Sequence, residues 1–317
     1  MLQSLHKKLR SREETVFDVV GVGECSRDDV WVLTGPFSFG QKIRAERHEQ
    51  LGGGQVATAM VACARLGLRS AFAGSVGADE IGDEVRSGLI SESVDVRALR
   101  VVADAHTRSA LLLVDGGSGD RTVIESMDPH LRRSPLEVDV SVLDRTRVLH
   151  LDLTDLTAAT LLSRAAKTRG VIVSLDLDHP RPGLDELLPF VDICVTSRDL
   201  PEALTGERDL GAALKKLHER TGGFVGCTLG ADGAAALDVR GEESRLIFSP
   251  APVPARLVDT TACGDTFHAA MILALIEGLS VADALRFCNA AASLKCRDLG
   301  RRGCPTRAEV EALIQSQ

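Results

Sequence analysis

Two aspartates bracket two hydroxyls and a small-residue turn in Asp259-Thr260-Thr261-Ala262-Cys263-Gly264-Asp265. Just beyond, Phe267, Met271, Leu275 and neighbouring Ile276 recur near a helical period of about 3.6. The small residues therefore open a helix. There the first N–H groups lack an intrahelical partner and the macrodipole is positive. Small side chains let an anion come close to those groups. A carboxylate beside an anion is unfavourable unless it has a task, and taking a proton from an attacking hydroxyl is such a task. The stretch reads as an anion site at the small-residue turn Ala262-Cys263-Gly264, with the Asp265 carboxylate beside it. The competing reading is a plain helix cap, since aspartate at a helix start is common for stability alone.

Other segments must position a partner for that base. Phe17 to Gly23 reads as a first buried strand, followed by the polar run Glu24 to Asp29. In an open α/β sheet, ligands bind beyond the carboxyl ends of strands, so these polar residues are well placed. The same residues also suit a solvated turn. Gly21-Val22-Gly23 lacks the third glycine of a dinucleotide fingerprint. Gly52-Gly53-Gly54 leads into a small-residue helix ending at Arg65, and its glycines permit backbone approach to a ligand at a helix start. No Lys follows as a P-loop requires. Gly226 to Ala234 reads as strand, glycine turn, strand, with Thr228 at the sheet edge.

From Val148 onward strands and helices alternate, a rhythm that implies a parallel sheet covered on both faces. Ser109–Val114 and Thr122–Glu125 form a hairpin around a glycine-rich loop at 115–120. Residues 1–15 read as a frayed tail or short helix. The 317 residues carry 44% hydrophobic and 26% charged side chains and a net charge of -8, an ordinary globular balance that argues against nucleic-acid or membrane surfaces. No apolar run is long enough to span a bilayer. The eight cysteines are scattered without a C-x-x-C pair, which points to reduced thiols and a cytoplasmic setting.

Residues 259–267 closely resemble the signature of the ribokinase-like (PfkB) sugar kinases, Asp-Thr-Thr-Ala/Gly-Ala-Gly-Asp-x-Phe, with Cys263 at a usual Ala. The other motifs occur in that family's order, from residue 17 to about 315. The resemblance implies a doubly wound, mostly parallel α/β sheet with a small β-sheet lid. It implies one domain over 1–317, with lid strands near 28–50 and 100–126. By position, Ala262, Cys263 and Gly264 form the anion hole and Asp265 is the general base. Asp28 likewise accepts bonds from sugar hydroxyls, with Ser26 where ribokinases often have Asn. Gly53 and Gly54 face the sugar, and Thr58 replaces the family's Asn. Thr228, Gly230 and Gly233 match Thr-x-Gly-x-x-Gly, which touches ATP. Asn289, in Phe287-Cys288-Asn289-Ala290-Ala291-Ala292, lies beside the nucleotide. The loop at 295–303 and Asp259 would hold a monovalent cation such as K⁺. Ser197-Arg198-Asp199-Leu200 is too degenerate a match to assign a Mg²⁺ residue.

The implied reaction is ATP-dependent, Mg²⁺-assisted phosphorylation of a sugar hydroxyl, with a homodimer formed through the lid. Alternatives are a nucleoside kinase of the same family and a sugar-phosphate kinase using Arg27, Arg108 or Arg121 on an anion. A further one is a catalytically silent sugar- or nucleotide-binding regulator, against which the intact Asp265 argues.

Overall fold

Successive residues of a strand point to opposite faces, and in the first strand both Val19 and Val20 are buried. Both faces of that strand must therefore be covered. The computed structural model describes residues 1–40, 42–117 and 119–316. Gln41 and Ser118 of the expected lid, and Gln317 of the expected domain, lie outside the described residues. The strands are β1 (Phe17–Val22), β2 (Ser26–Leu33), β3 (Ala45–Gly53), β4 (Ser70–Phe72), β5 (Ser75–Gly77), β6 (Arg100–Val102), β7 (Ser109–Asp115) and β8 (Arg121–Ser126). They continue with β9 (Thr146–Leu151), β10 (Ile172–Leu177), β11 (Ile193–Thr196), β12 (Phe224–Thr228), β13 (Ala234–Arg240) and β14 (Glu243–Ser249). The helices are α1 (Leu2–His6), α2 (Gln55–Arg65), α3 (Glu80–Ser91), α4 (Leu156–Arg169), α5 (Leu184–Leu187), α6 (Leu200–Thr205), α7 (Leu210–Thr221), α8 (Cys263–Glu277), α9 (Val281–Lys295) and α10 (Arg307–Gln315).

Eight strands form the main sheet in the order β14-β13-β12-β11-β10-β9-β1-β4. Pairing is parallel from β4 to β12, with Val19 beside Val148, and antiparallel only at β13 and β14. One face packs Val19, Phe72 and Phe224 against α2, α8 and α9. The other packs Val20, Leu149 and Leu175 against side chains of α4 and α7. This is the expected mostly parallel, doubly wound sheet.

A second sheet, β3-β2-β7-β8, stands over the carboxyl ends of the main strands. Val30, Ala110, Leu112, Val114 and Leu299 form its own small core. The lid strands span 26–53 and 109–126 rather than 28–50 and 100–126: β6 pairs with β5 in a separate two-stranded sheet, and β2 begins at Ser26, so Asp28 lies inside a lid strand rather than in a turn. Of the two readings of residues 1–15, the short helix is present at their start: Leu2 and Leu5 of α1 are buried, and His6 Nδ1 lies 3.1 Å from the Leu275 carbonyl. Every residue of helix α8 from Thr266 to Leu275 is buried. A helix that is apolar all round belongs in the interior, and α8 runs between α2 and α9.

Asp18, only 1% exposed, anchors the amino end of β1. Its carboxylate accepts from the Arg69 backbone at 3.0 Å, from Arg69 Nε and Nη2 at 3.1 and 3.0 Å, and from Arg147 Nη1 at 3.3 Å. Burial pushes its pKa up, yet the bonds and charge of Arg69 outweigh burial and leave it below the usual value. A lowered carboxyl pKa stabilises the fold above the unfolded value near 4, and the contribution is lost as pH falls through the folded value. Asp18→Ala is expected to cost about 3–5 kcal/mol at neutral pH, because it strands the buried Arg147 guanidinium and removes the acceptor of the Arg69 bonds. Denaturant unfolding should show that gap, and the gap should narrow in acid; an equal gap at every pH would rule out the ionic origin.

Candidate active site

The carboxyl ends of β1, β10, β11 and β12, the start of α8 and the underside of the lid enclose a cavity of about 290 Å³. Asp265, Gly264, Ala262, Asp28, Gly53, Gly54, Thr58, Arg108 and Thr228 all line it. The cavity thus brings together residues more than 230 positions apart in the chain.

At its floor, Ala262 takes a left-handed conformation (φ 68°), which is rare for a residue with a Cβ and costs roughly 1–2 kcal/mol. That kink starts α8 without a side-chain cap. The Cys263 amide donates to the Thr260 carbonyl at 3.3 Å, and the Thr266 amide makes the first helical bond, to Ala262 at 3.0 Å. The amides of Gly264 and Asp265 fall between these and have no acceptor among the described residues. The Ala262 amide likewise has no acceptor among the described residues, so of the expected trio only Cys263 is engaged, and Asp265 adds a further free amide. The Cys263 side chain lies away from the cavity, its Sγ 3.3 Å from Cys296 Sγ.

The Asp265 carboxyl is pushed well above its usual pKa, first by burial and then by the carboxylates of Asp176 and Glu24; Arg121 opposes this. Arg121 also donates from Nη1 to Thr260 Oγ1 at 3.0 Å, tying lid strand β8 to the turn. Asp176 pairs with His268 at 3.1 Å. Burial raises Asp176, but the His268 imidazole outweighs it and holds the carboxyl below its usual value. His150 lies behind, fully buried, and burial drives its pKa down to about 3, which leaves it neutral.

At the lid end, Asp28 accepts from Ser26 Oγ at 2.6 Å, so Ser26 steadies Asp28 rather than facing the cavity. Burial raises the Asp28 carboxyl. The glycines at 52 and 53 have a concrete purpose here. A Cβ at Gly53 would lie 2.0 Å from Asp28 Oδ2, and one at Gly52 would lie 2.2 Å from the Arg301 guanidinium carbon. Their missing side chains make room for Asp28 and Arg301. Arg108 pairs with Glu24 at 3.3 Å and with Glu125. Asp152 accepts from the Glu24 amide at 2.8 Å, and burial followed by the Glu24 charge raises its carboxyl to about 7. Arg27 turns away, to Asp29 and Glu84.

Several sequence candidates lie outside the cavity lining. Gly230 and Gly233 occupy the turn after Thr228. Asn289 is buried and donates to the carbonyls of Ser249 and Pro250 at 2.8 and 3.4 Å, holding the end of β14. Asp259 is fully buried beneath the turn, against Lys295. The sequence places Glu24 and Asp176 at the ligand edge of the sheet, but His268 and Arg301 were not anticipated as cavity residues. His268 was legible in principle: it lies three residues after Asp265, on the same side of a helix.

Comparison with protein families matches residues 16–307 to "pfkB family carbohydrate kinase". The chain is 30% identical to a ribokinase of Haemophilus influenzae over 284 residues, 87% of this chain and 91% of the relative. It is 29% identical to a ketohexokinase of Mus musculus over 257 residues, 77% of this chain and 84% of the relative. Its fold is similar to that of an Arabidopsis thaliana ribokinase complexed with ribose and ATP, with a TM-score of 0.79 and 26% identity, over 94% of this chain and 99% of that one.

The raised Asp265 carboxyl carries a stability signature. A buried acid whose folded pKa exceeds the unfolded value of about 4 costs stability progressively as pH rises through that interval. Asp265→Asn removes the cost. The variant is expected to melt higher than the wild type at neutral pH, with the difference vanishing near pH 4. Melting curves showing a pH-independent difference would mean that Asp265 is not held protonated by the cavity.

Proposed function

The chain belongs to the pfkB family of carbohydrate kinases, enzymes that transfer a phosphoryl group from ATP to a sugar hydroxyl, and on that premise we propose how its own residues divide the work. Residues 1–317 act as one kinase domain. The acceptor sugar lies between the lid and the glycine-rich start of α2, with Asp28 accepting from its hydroxyls. ATP approaches from the β12 side, past Thr228 and the turn carrying Gly230 and Gly233. The two meet at the start of α8. Asp265 takes the proton of the attacking hydroxyl, and its raised pKa suits a base that works near neutral pH. Attack on the γ-phosphorus is in line. The unpartnered amides of Gly264 and Asp265 and the positive end of α8 stabilise charge on the group in transit. Mg²⁺ enters with ATP and shares the phosphate charge.

One observation carries this reading. A raised carboxyl and two free amides open, side by side, onto the same enclosed space as Asp28. A second reading, a sugar-phosphate acceptor, draws on Arg301. Its Nη1 is buried without a hydrogen-bond partner, at the cavity wall beside Asp28. Arg108 Nε also lacks a hydrogen bond, but Arg108 is ion-paired with Glu24 and Glu125, and Arg121 donates to Thr260. Arg301 has no ion pair among the described residues and is the better-placed donor for a phosphate or sulfonate oxygen. The eight free cysteines suit a reducing cytoplasm. The lid leaves β3 and β8 as edge strands, which we read as the pairing edges of a homodimer.

Asp265→Asn is expected to lower kcat by roughly two to four orders of magnitude while ATP still binds. Near-normal turnover would refute the base. A thermal-shift screen of sugars, sugar phosphates and nucleosides, with an ATP analogue present, should identify the acceptor, since a ligand of the folded state raises Tm. If the acceptor is anionic, Arg301→Gln should abolish its shift while leaving the shift of the ATP analogue intact.

A further inference from the structure

Lys295 is the last residue of α9, and none of its side chain is exposed. Burying an ammonium is strongly unfavourable unless its three protons all find acceptors. Here they do. Nζ donates to the backbone carbonyls of Asp259 at 2.8 Å and Asp298 at 3.2 Å, and lies 3.5 Å from Asp259 Oδ2. The rest of the Asp259 carboxylate is also spoken for: Oδ1 accepts from the Thr261 amide at 2.8 Å and Oδ2 from the Gly300 amide at 2.7 Å. The amides of Val258 and Asp259 both donate to the Cys296 carbonyl, at 2.8 and 3.3 Å. One cation therefore pins the end of α9, the 296–300 loop and the first residue of the Asp259–Asp265 turn.

The resemblance to ribokinase-like enzymes implies a monovalent cation between this loop and Asp259. The residues present do not fit one. Two carbonyls and the carboxylate that would coordinate it already surround the ammonium, whose own charge would repel a second cation. The Gly300–Gly303 turn closes over the same place, where a Cβ on Gly303 would lie 2.1 Å from the Lys295 carbonyl. We propose that Lys295 Nζ is the chain's built-in cation, fixing the turn that aims the Gly264 and Asp265 amides, so that the enzyme has no need of K⁺. Lys295 is a positioning residue: it acts on the amides through Asp259 and does not face the cavity. Its effect on turnover rests on the anion-hole reading above; its occupancy of the cation seat does not.

The test compares equal concentrations of potassium chloride and tetramethylammonium chloride, the second too large for any such seat. For the wild type, Tm should agree within ~1 °C and ADP release within about twofold. A rise of several degrees in K⁺, or stimulation of roughly tenfold, would overturn the proposal. Lys295→Ala should lose both Tm and turnover, and regain part of each in K⁺ or ammonium but not in tetramethylammonium. A loss that no small cation restores would count against the seat. If Lys295→Ala does not fold, the wild-type comparison still decides. If no carbohydrate is phosphorylated, the functional reading fails, yet the Tm comparison still reports on Lys295.

Discussion

Two backbone amides without partners, at the inner end of a helix that is otherwise buried, set the terms for the rest of this structure. Helix starts are normally completed by a side-chain cap, and where none is present the free donors turn to water or to a ligand. Helix α8 has no such cap. Its entry is held instead by a left-handed alanine, by an aspartate bonded to the turn's own backbone, and by a lysine beneath it. The packing of α8 on all sides then leaves it no freedom to relax. On the proposed reading, the backbone strain at Ala262 is the cost of keeping Gly264 and Asp265 open to an anion, and functional sites are where such strain collects.

The charges around the cavity follow the same logic. Five carboxylates, Glu24, Asp28, Asp176, Asp178 and Asp265, share its lining with three arginines. Burial raises Glu24, Asp28 and Asp265. Among the lining carboxylates with a shift, Asp176 alone goes down, because His268 faces it. Neighbouring carboxylates held on opposite sides of their usual value can divide the labour: one stays charged, and the other exchanges a proton. Asp176 remains an anion, and its field is part of what keeps Asp265 proton-hungry.

Much of this was readable from the chain, for identifiable reasons. The strands of the main sheet are apolar on both faces, so Phe17–Val22 and Thr146–Leu151 stand out as continuous runs. The Asp259–Asp265 turn combines carboxylates, hydroxyls and small residues in a pattern that few structural needs explain. What escaped were residues whose importance comes only from their neighbours. A lysine at a helix carboxyl end is ordinary, since it complements the dipole; nothing in the sequence says that Lys295 points inward at Asp259. A five-residue helix is too short to show a period, so α1 looked like a tail until Leu2 and Leu5 met the core. Asn289, read from the sequence as a nucleotide contact, also holds the chain at Ser249 and Pro250 through its Nδ2.

The acceptor's identity escaped for a deeper reason. Gly53 and Gly54 were read as backbone that faces a sugar, but Gly52 and Gly53 each owe their missing side chain to another residue, Arg301 in one case and Asp28 in the other. Arg301 arrives from the carboxyl-terminal loop, more than 240 positions away, and Arg108 from lid strand β7's approach. The wall that meets the acceptor is thus assembled from three segments that share no local pattern, whereas the phosphoryl end is built from seven consecutive residues. A contiguous site leaves a motif; a wall gathered by the tertiary fold does not. Chemistry was therefore legible where the chain is continuous, and specificity was hidden where it depends on which distant side chain fills the space a glycine leaves.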